Sequence, residues 1–320
     1  AVPVVVADDL TPAQIKAFRI ADNRVSAESE WDFELLEIEL EGLDGFSVED
    51  LGFDVGELDF DIDKPDEVVE DDFDVDAELE KPAVAKRGQI WQLGRHRLMC
   101  GDSTTDDVDV LMDGKKADMV FTDPPYNVNY QDLAGNHQKI KNDKMEDESF
   151  AQFLTDSFIR LPENSYICCN WQYYHIFYTV LRDLSKPVKS CIVWDKEIRV
   201  QNLDKYFKQH EFILYTGKFG GQKTLRGDVF RFKRERSALH PTMKPIELVS
   251  SFIEDGSYKN DTILDVFGGS GSTLIACEQT NRICYMMELD EKYCDVIINR
   301  WEQFTGEKAV LIGGETDGEG

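Results

Sequence analysis

The chain has 320 residues, 42% of them hydrophobic and 31% charged. That balance suits a globular protein with a substantial core and excludes a chain too polar to fold. No apolar run reaches the roughly 18–20 residues of a membrane span, and no signal peptide is visible. The formal net charge of −28 argues against a nucleic-acid partner until it is divided along the chain. Residues 1–80 hold 27 acidic and four basic side chains, whereas residues 81–320 hold 36 and 31. Within the latter, residues 182–244 carry 15 Lys and Arg against seven Asp and Glu. A basic segment of that kind suits contact with a phosphate backbone. The seven cysteines show no CxxC spacing, and their odd number argues against a closed disulfide framework. Reduced, buried thiols and a cytoplasmic setting follow.

At the N-terminus Val2-Pro3-Val4-Val5-Val6 reads as a strand, and Thr11 with Pro12 as the cap and first position of a helix. Residues 10–24 resemble the C-terminal part of ParB-like N-terminal domains, a likeness that continues through Trp31 to Gly52-Phe53-Asp54. That family's nucleotide- and phosphate-handling motif is absent, so no ParB activity and no site residue is carried over. Residue 1 is Ala, as in a processed or truncated segment. Residues 1–58 are thus read as a ParB-like fragment, and residues 59–86 as an acidic, solvated linker.

Residues 89–93 and 96–100 read as two strands joined by a tight turn at Gly94-Arg95. Gly101-Asp102-Ser103 follows, and Asp102 suits the N-cap of a helix over 107–112. Ala117-Asp118-Met119-Val120-Phe121 reads as a short buried strand that enters Thr122-Asp123-Pro124-Pro125-Tyr126-Asn127. The two prolines stiffen the turn and, lacking N–H groups, leave carbonyls as spare acceptors. An acid and an oriented carbonyl suit a substrate amino group with hydrogens to donate, and Tyr126 offers a flat face for a base. As a bare tetrapeptide the segment equally suits an ordinary strand exit.

Residues 128–148 have no clear period and read as a functional loop, closing over a base or following a DNA backbone. An amphipathic helix is expected over 149–161 and a strand over 165–170. Trp171, Tyr173, Tyr174, Phe177 and Tyr178 then recur at helical spacing, with their rings expected in the core. Further strands are expected at 189–196, 210–217 and 228–233. Between them Lys196, Arg199, Lys205, Lys208, Lys218, Lys223 and Arg226, extended by Arg231, Lys233, Arg234 and Arg236, are expected on phosphates.

His240-Pro241-Thr242-Met243-Lys244-Pro245 leads into a helix that ends near Glu254, with Pro245 suited to its start. His240 has no neighbours at metal-ligand spacing, so no metal is expected. The apolar run to Asp265 enters Val266-Phe267-Gly268-Gly269-Ser270-Gly271-Ser272, and a helix follows over 272–279. Glycines permit close approach of a ligand to the backbone, and the helix start presents free N–H groups. The dinucleotide GxGxxG pattern fits poorly, because Leu274 stands where its last glycine belongs. The strand over 283–287 ends in Glu288, an acid suited to both hydroxyls of a ribose. A helix over 291–304 and a short strand over 309–312 complete the order.

Asp123-Pro124-Pro125-Tyr126, the His240–Pro245 element and the glycine turn, in that order, resemble the permuted β-group of S-adenosylmethionine-dependent DNA amino-methyltransferases. The likeness covers residues 87–312. It implies an α/β fold with a doubly wound, mostly parallel, seven-stranded-type Rossmann-like sheet, beside a small α-rich N-terminal remnant and a flexible tail at 313–320. It implies S-adenosyl-L-methionine as cofactor and double-stranded DNA as partner, in a bacterial or phage-infected cytoplasm, with no membrane; it also allows a homodimer. A ParB-like domain ahead of a methyltransferase fits phage-type proteins. The resemblance makes Asp123, Pro124, Pro125 and Tyr126 catalytic. It turns Asp102 to the cofactor's adenine, Lys244 to its methionine carboxylate and Glu288 to its ribose. Asp265, Phe267, Gly269, Gly271 and Ser272 complete the cofactor pocket, with the Phe267 ring beside the sulfonium. Asp rather than Ser at position 123 favours adenine N6 over cytosine N4. A cytosine-N4 enzyme is the nearest alternative. A protein-glutamine methyltransferase typically has Asn at that position, and a ParB-like adaptor with an inactive methyltransferase domain has no need of intact Asp123, Gly269, Gly271 and Glu288.

Overall fold

The computed structural model describes residues 68–128, 144–200, 206, 208–217, 227–232 and 243–314. All lie in the second of two units, Asp66–Gly320. The ParB-like stretch, most of the loop after Asn127, His240, and the expected phosphate contacts Lys205, Lys218, Lys223, Arg226, Lys233, Arg234 and Arg236 lie outside the described residues.

Ten strands are present among the described residues: β1 (Ile90–Leu93), β2 (His96–Cys100), β3 (Met119–Thr122), β4 (Ser165–Cys169), β5 (Ser190–Val200), β6 (Lys208–Tyr215), β7 (Val229–Arg231), β8 (Thr262–Asp265), β9 (Ile283–Glu288) and β10 (Val310–Gly313). Between them run helices α1 (Val75–Leu79), α2 (Asp107–Met112), α3 (Asp147–Phe158), α4 (Tyr174–Asp183), α5 (Ile246–Gly256), α6 (Ser272–Gln279) and α7 (Glu291–Thr305). The strands form one sheet in the order β10-β1-β2-β9-β8-β3-β4-β6-β5-β7. No helix among the described residues is long and apolar enough to cross a membrane.

The centre of the sheet is parallel, from β2 through β9, β8 and β3 to β4. Every residue of β3 and β4 is buried, the near-continuous run that a parallel strand covered on both faces requires. Successive side chains go to opposite faces. Phe121, Cys168 and Ile263 join Phe252 of α5, Ile275 of α6 and Trp301 of α7. Val120, Cys169 and Leu264 join Leu111 of α2, Phe150 of α3 and Phe177 of α4. This is the expected Rossmann-like core, but antiparallel strands carry it past seven. Hairpin β1–β2 closes Leu93 onto His96 across Gly94, whose φ of +55° favours glycine, and β10 adds beyond it. On the other side β6 runs antiparallel to both β4 and β5. Six of the seven cysteines are buried and all are free thiols.

Two expectations are corrected here. The aromatic run after β4 does not all enter the core. Phe177 is fully buried against Phe150 and Phe158, while Trp171 and Tyr178 are 54% and 41% exposed. Tyr174 and Tyr178, one helical turn apart, stack on each other, Tyr174 at the margin of the core. The acidic stretch from Val68 onward is not solvated linker either. Phe73 and Val75 are buried with Val296 of α7, and Asp71 accepts from the buried Arg300 at 2.7 Å. Glu78 accepts from Asn299, and the Leu79 carbonyl from Lys292. Two apolar side chains set among the acids, and a buried guanidinium that needs an anion, fasten this stretch to α7.

Gly217, just past β6, supports the turn that ends this strand. A Cβ there would stand 2.7 Å from the Asn164 Cα, and backbone cannot yield as a side-chain tip does. Gly217→Ala is expected to cost about 1–3 kcal/mol. Chemical unfolding should show it as a lower midpoint with unchanged slope.

Candidate active site

The parallel strands all direct their carboxyl ends to one edge, where open α/β sheets bind ligands. Asp102 lies two residues past the end of β2, Glu288 ends β9, the glycine turn follows β8, and Asp123 follows β3. β8 and β3 are paired neighbours although Thr122 and Asp265 lie 143 positions apart. Sheet topology therefore joins the two motifs.

Both oxygens of the Asp123 carboxylate have a donor. Tyr126 donates its hydroxyl to Oδ1, and the Lys244 ammonium stands 2.5 Å from Oδ2. Lys244 also lies 3.1 Å from Oε2 of Glu211, on β6, and 3.1 Å from the Tyr126 oxygen. The other Glu211 oxygen accepts from Lys196, on β5. The Trp194 ring carries both ammoniums, Lys196 at 5.1 Å and Lys244 at 5.9 Å from its centre. Lys244 is only 8% exposed. Burial alone pushes the Glu211 carboxyl up, but Lys244 and Lys196 outweigh it and bring its pKa to about 2. Burial pushes the Lys244 ammonium down, and Asp123 and Glu211 more than reverse that, so its pKa is raised. Burial, then the charges of Asp123 and Glu211, hold the Tyr126 phenol well above its usual range, so it remains a donor.

Two residues thus sit elsewhere than expected. Lys244, read as a partner for the cofactor's carboxylate, is paired with Asp123 and Glu211. Lys196, read as a phosphate contact, has its side chain 11% exposed against Glu211. Asn127 lies at φ +60°. Its amide donates to the Met145 carbonyl and accepts from the Met145 N–H, which clamps the two ends of the loop that follows.

At the same edge of the sheet lies a group of residues of different character. Glu288 accepts the N–H groups of Gly269 and Asp290, each at 2.8 Å. Burial nonetheless raises its carboxyl to about 7. Gly269 has φ +51°, and a Cβ there would project into open space, the room a ligand needs against the backbone. The next glycine, Gly271, has φ +86° and caps α6. Gly268 is there for packing, since its Cβ would stand 2.8 Å from Met286 Cγ. Phe267 is half-buried, its ring tilted on Phe153 at 5.8 Å. Asp102 accepts from the Thr104 N–H and hydroxyl at 3.0 and 2.6 Å. It therefore shapes its own turn, while Asp106 stands at the N-cap of α2. Asp265 is turned inward. It takes the hydroxyls of Thr122 and Thr273 and the Phe267 N–H, and burial raises it to about 7. It braces β3 against the glycine turn. Ser272 is buried, its hydroxyl 3.4 Å from the Arg300 guanidinium, which also donates to the Ser270 carbonyl. An acid for a diol, an open glycine and a half-buried ring fit a nucleoside.

Residues 117–300, more than half of the chain, match the family of N6/N4 DNA methylases. The chain belongs to this DNA methylase family. It is 28% identical over 184 residues to the putative methylase YubD of Escherichia coli (strain K12), across 56% of this chain and 79% of that protein. It is 26% identical over 222 residues to the type II methyltransferase M2.MboI of Moraxella bovis, across 59% and 81%. Among solved structures, the PvuII DNA methyltransferase (cytosine-N4-specific) aligns with 71% of this chain and 98% of its own, at a TM-score of 0.50 and 13% identity. That last likeness is one of fold. As a DNA methylase the protein acts on DNA, with S-adenosyl-L-methionine as cofactor. The groups that the methylase motifs do not announce are Glu211, Lys196 and Trp194. One signal was available: Glu211 is a lone acid opening the apolar run Phe212-Ile213-Leu214-Tyr215.

Proposed function

We propose that this DNA methylase methylates the exocyclic N6 of adenine at specific sites in double-stranded DNA, on a base turned out of the helix. The observation that carries the proposal is Asp123-Pro124-Pro125-Tyr126 at the carboxyl end of β3, beside the glycine turn of β8. An amine inside a stacked duplex is out of reach, so the base must leave the stack, and Tyr126 offers a ring to receive it. The amine is a poor nucleophile because its lone pair is delocalised into the ring. Asp123 accepts one N–H and the Pro124 carbonyl the other, which favours a pyramidal nitrogen. S-adenosylmethionine supplies an electrophilic methyl group on a sulfonium sulfur. With the cofactor bound, the methyl group would pass from its sulfur to the amine nitrogen, and Asp123 would take up the amine proton released. Glu288 would accept the ribose hydroxyls, the open space at Gly269 would admit the cofactor against the backbone, and Phe267 would offer its ring to the sulfonium. Positioning of the two reactants supplies much of the acceleration.

Asp at position 123 is the residue that favours adenine over cytosine. The test is mass spectrometry of nucleosides from unmethylated DNA incubated with the protein and S-adenosylmethionine. N6-methyladenine is the expected product. N4-methylcytosine would keep the chemistry and overturn the choice of base, and no methylated base on varied DNA would overturn the reading.

A further inference from the structure

We infer that Glu211 is a positioning residue for methyl transfer: it is the acceptor to which Lys244 and Tyr126 turn when the target amine takes Asp123. The inference rests on the reading of Asp123 as the amine's acceptor. In the absence of substrate both Asp123 oxygens already have donors, Tyr126 on one and Lys244 on the other. An incoming amine competes with those donors for the carboxylate. Oε2 of Glu211 lies 3.1 Å from the Lys244 ammonium and 3.3 Å from the Tyr126 oxygen. Tyr126 can therefore change partner by rotating its hydroxyl, and Lys244 keeps its place on Glu211 when it gives up Asp123. Glu211 is kept in place by the antiparallel register that sets it opposite Trp194, and Lys196 balances the charge of its other oxygen.

The charges support the same role. Two carboxylates and two ammoniums make the cluster neutral, beside the place where positive charge arrives on the amine nitrogen. Without Glu211 the cluster carries a net positive charge, which opposes that arrival and holds Lys244 against Asp123. Such preorganised charge acts strongly where water is scarce.

Glu211→Gln keeps the size and an acceptor oxygen but removes the charge. Single-turnover methylation of unmethylated genomic DNA at saturating cofactor is expected to slow by about 10²-fold. Cofactor affinity by calorimetry and the melting temperature should stay near those of the wild type. Adding Lys196→Gln restores neutrality, with one carboxylate and one ammonium, and is expected to recover about tenfold of the lost rate. A merely structural Glu211 predicts the reverse, a double variant as slow as the single one or slower. A wild-type rate in Glu211→Gln, or the absence of rescue, would overturn the inference. Should Glu211→Gln fail to fold, Lys196→Gln alone carries the test. It leaves Glu211 free to draw Lys244 from Asp123 and should keep the rate within a few fold, and a large loss would overturn the idea. A wild-type protein that makes no methylated base would instead sink the proposed function, and an active Asp123→Ala variant the role of Asp123.

Discussion

Asp123→Ala is expected to abolish methyl transfer while S-adenosylmethionine still binds. The substitution removes the anion proposed to accept the amine's hydrogen and proton. It also leaves Lys244 and Lys196 facing Glu211 alone, an excess positive charge where the nitrogen becomes positive. Loss of one well-placed group of this kind costs on the order of 10²–10³-fold, and here the two effects act in the same direction. The proposed cofactor site does not rely on Asp123. Its structural bonds run from Glu288 to Gly269 and Asp290 and from Asp265 to Thr122 and Thr273. Cofactor affinity measured by calorimetry should therefore remain close to wild type, while single-turnover product by mass spectrometry disappears. Asp123→Asn, which keeps an acceptor but not the charge, should fall between the two. Near-normal turnover in the alanine variant would remove Asp123 from the chemistry.

Local signals in the sequence make most of the scaffold legible. Apolar runs bounded by turn residues marked β3, β8 and β9, the Gly94-Arg95 turn marked the first hairpin, and the helical period marked α3 and α7. The strand-to-turn segments at Asp123 and Gly269 were legible because prolines and glycines record backbone geometry directly. Less legible was everything that depends on which strands become neighbours. Lys196 reads as one more base in a basic segment until β5 and β6 pair and bring Glu211 beside it. Lys244 reads as a cofactor contact until the chain preceding α5 comes to rest on Asp123. The acidic run from residue 68 reads as solvated until Arg300, 229 positions away, takes up Asp71. Charge is a poor guide to surface where its partner is remote in sequence, since a paired charge is the kind that can be buried.

Cofactor affinity is expected to weaken as pH falls below about 7, because Glu288, proposed to hold the ribose, must be ionised to accept it. Burial raises its carboxyl to about 7, and ribose hydroxyls donate to the anion. Below that pH a proton must leave before the diol can bind, at a limiting loss of about tenfold in affinity per pH unit. Calorimetry near pH 7 in two buffers of different ionisation enthalpy should show proton release on binding. Glu288→Gln should bind more weakly at pH 8 and lose most of this pH dependence. Asp265 titrates in the same range, also raised to about 7 by burial, but its oxygens are covered by Thr122, Thr273 and Phe267. A slope that survives in Glu288→Gln would therefore report Asp265. Stability runs the other way. Both carboxyls hold protons in the native state that the unfolded chain has already released, so the ligand-free protein should lose stability as pH rises from about 4.5 through 7. Added S-adenosylmethionine should restore it most at the upper end. Thermal melting with and without cofactor across pH 5–8 reads both trends. A cofactor-induced shift that did not grow with pH would place the ribose somewhere other than on Glu288.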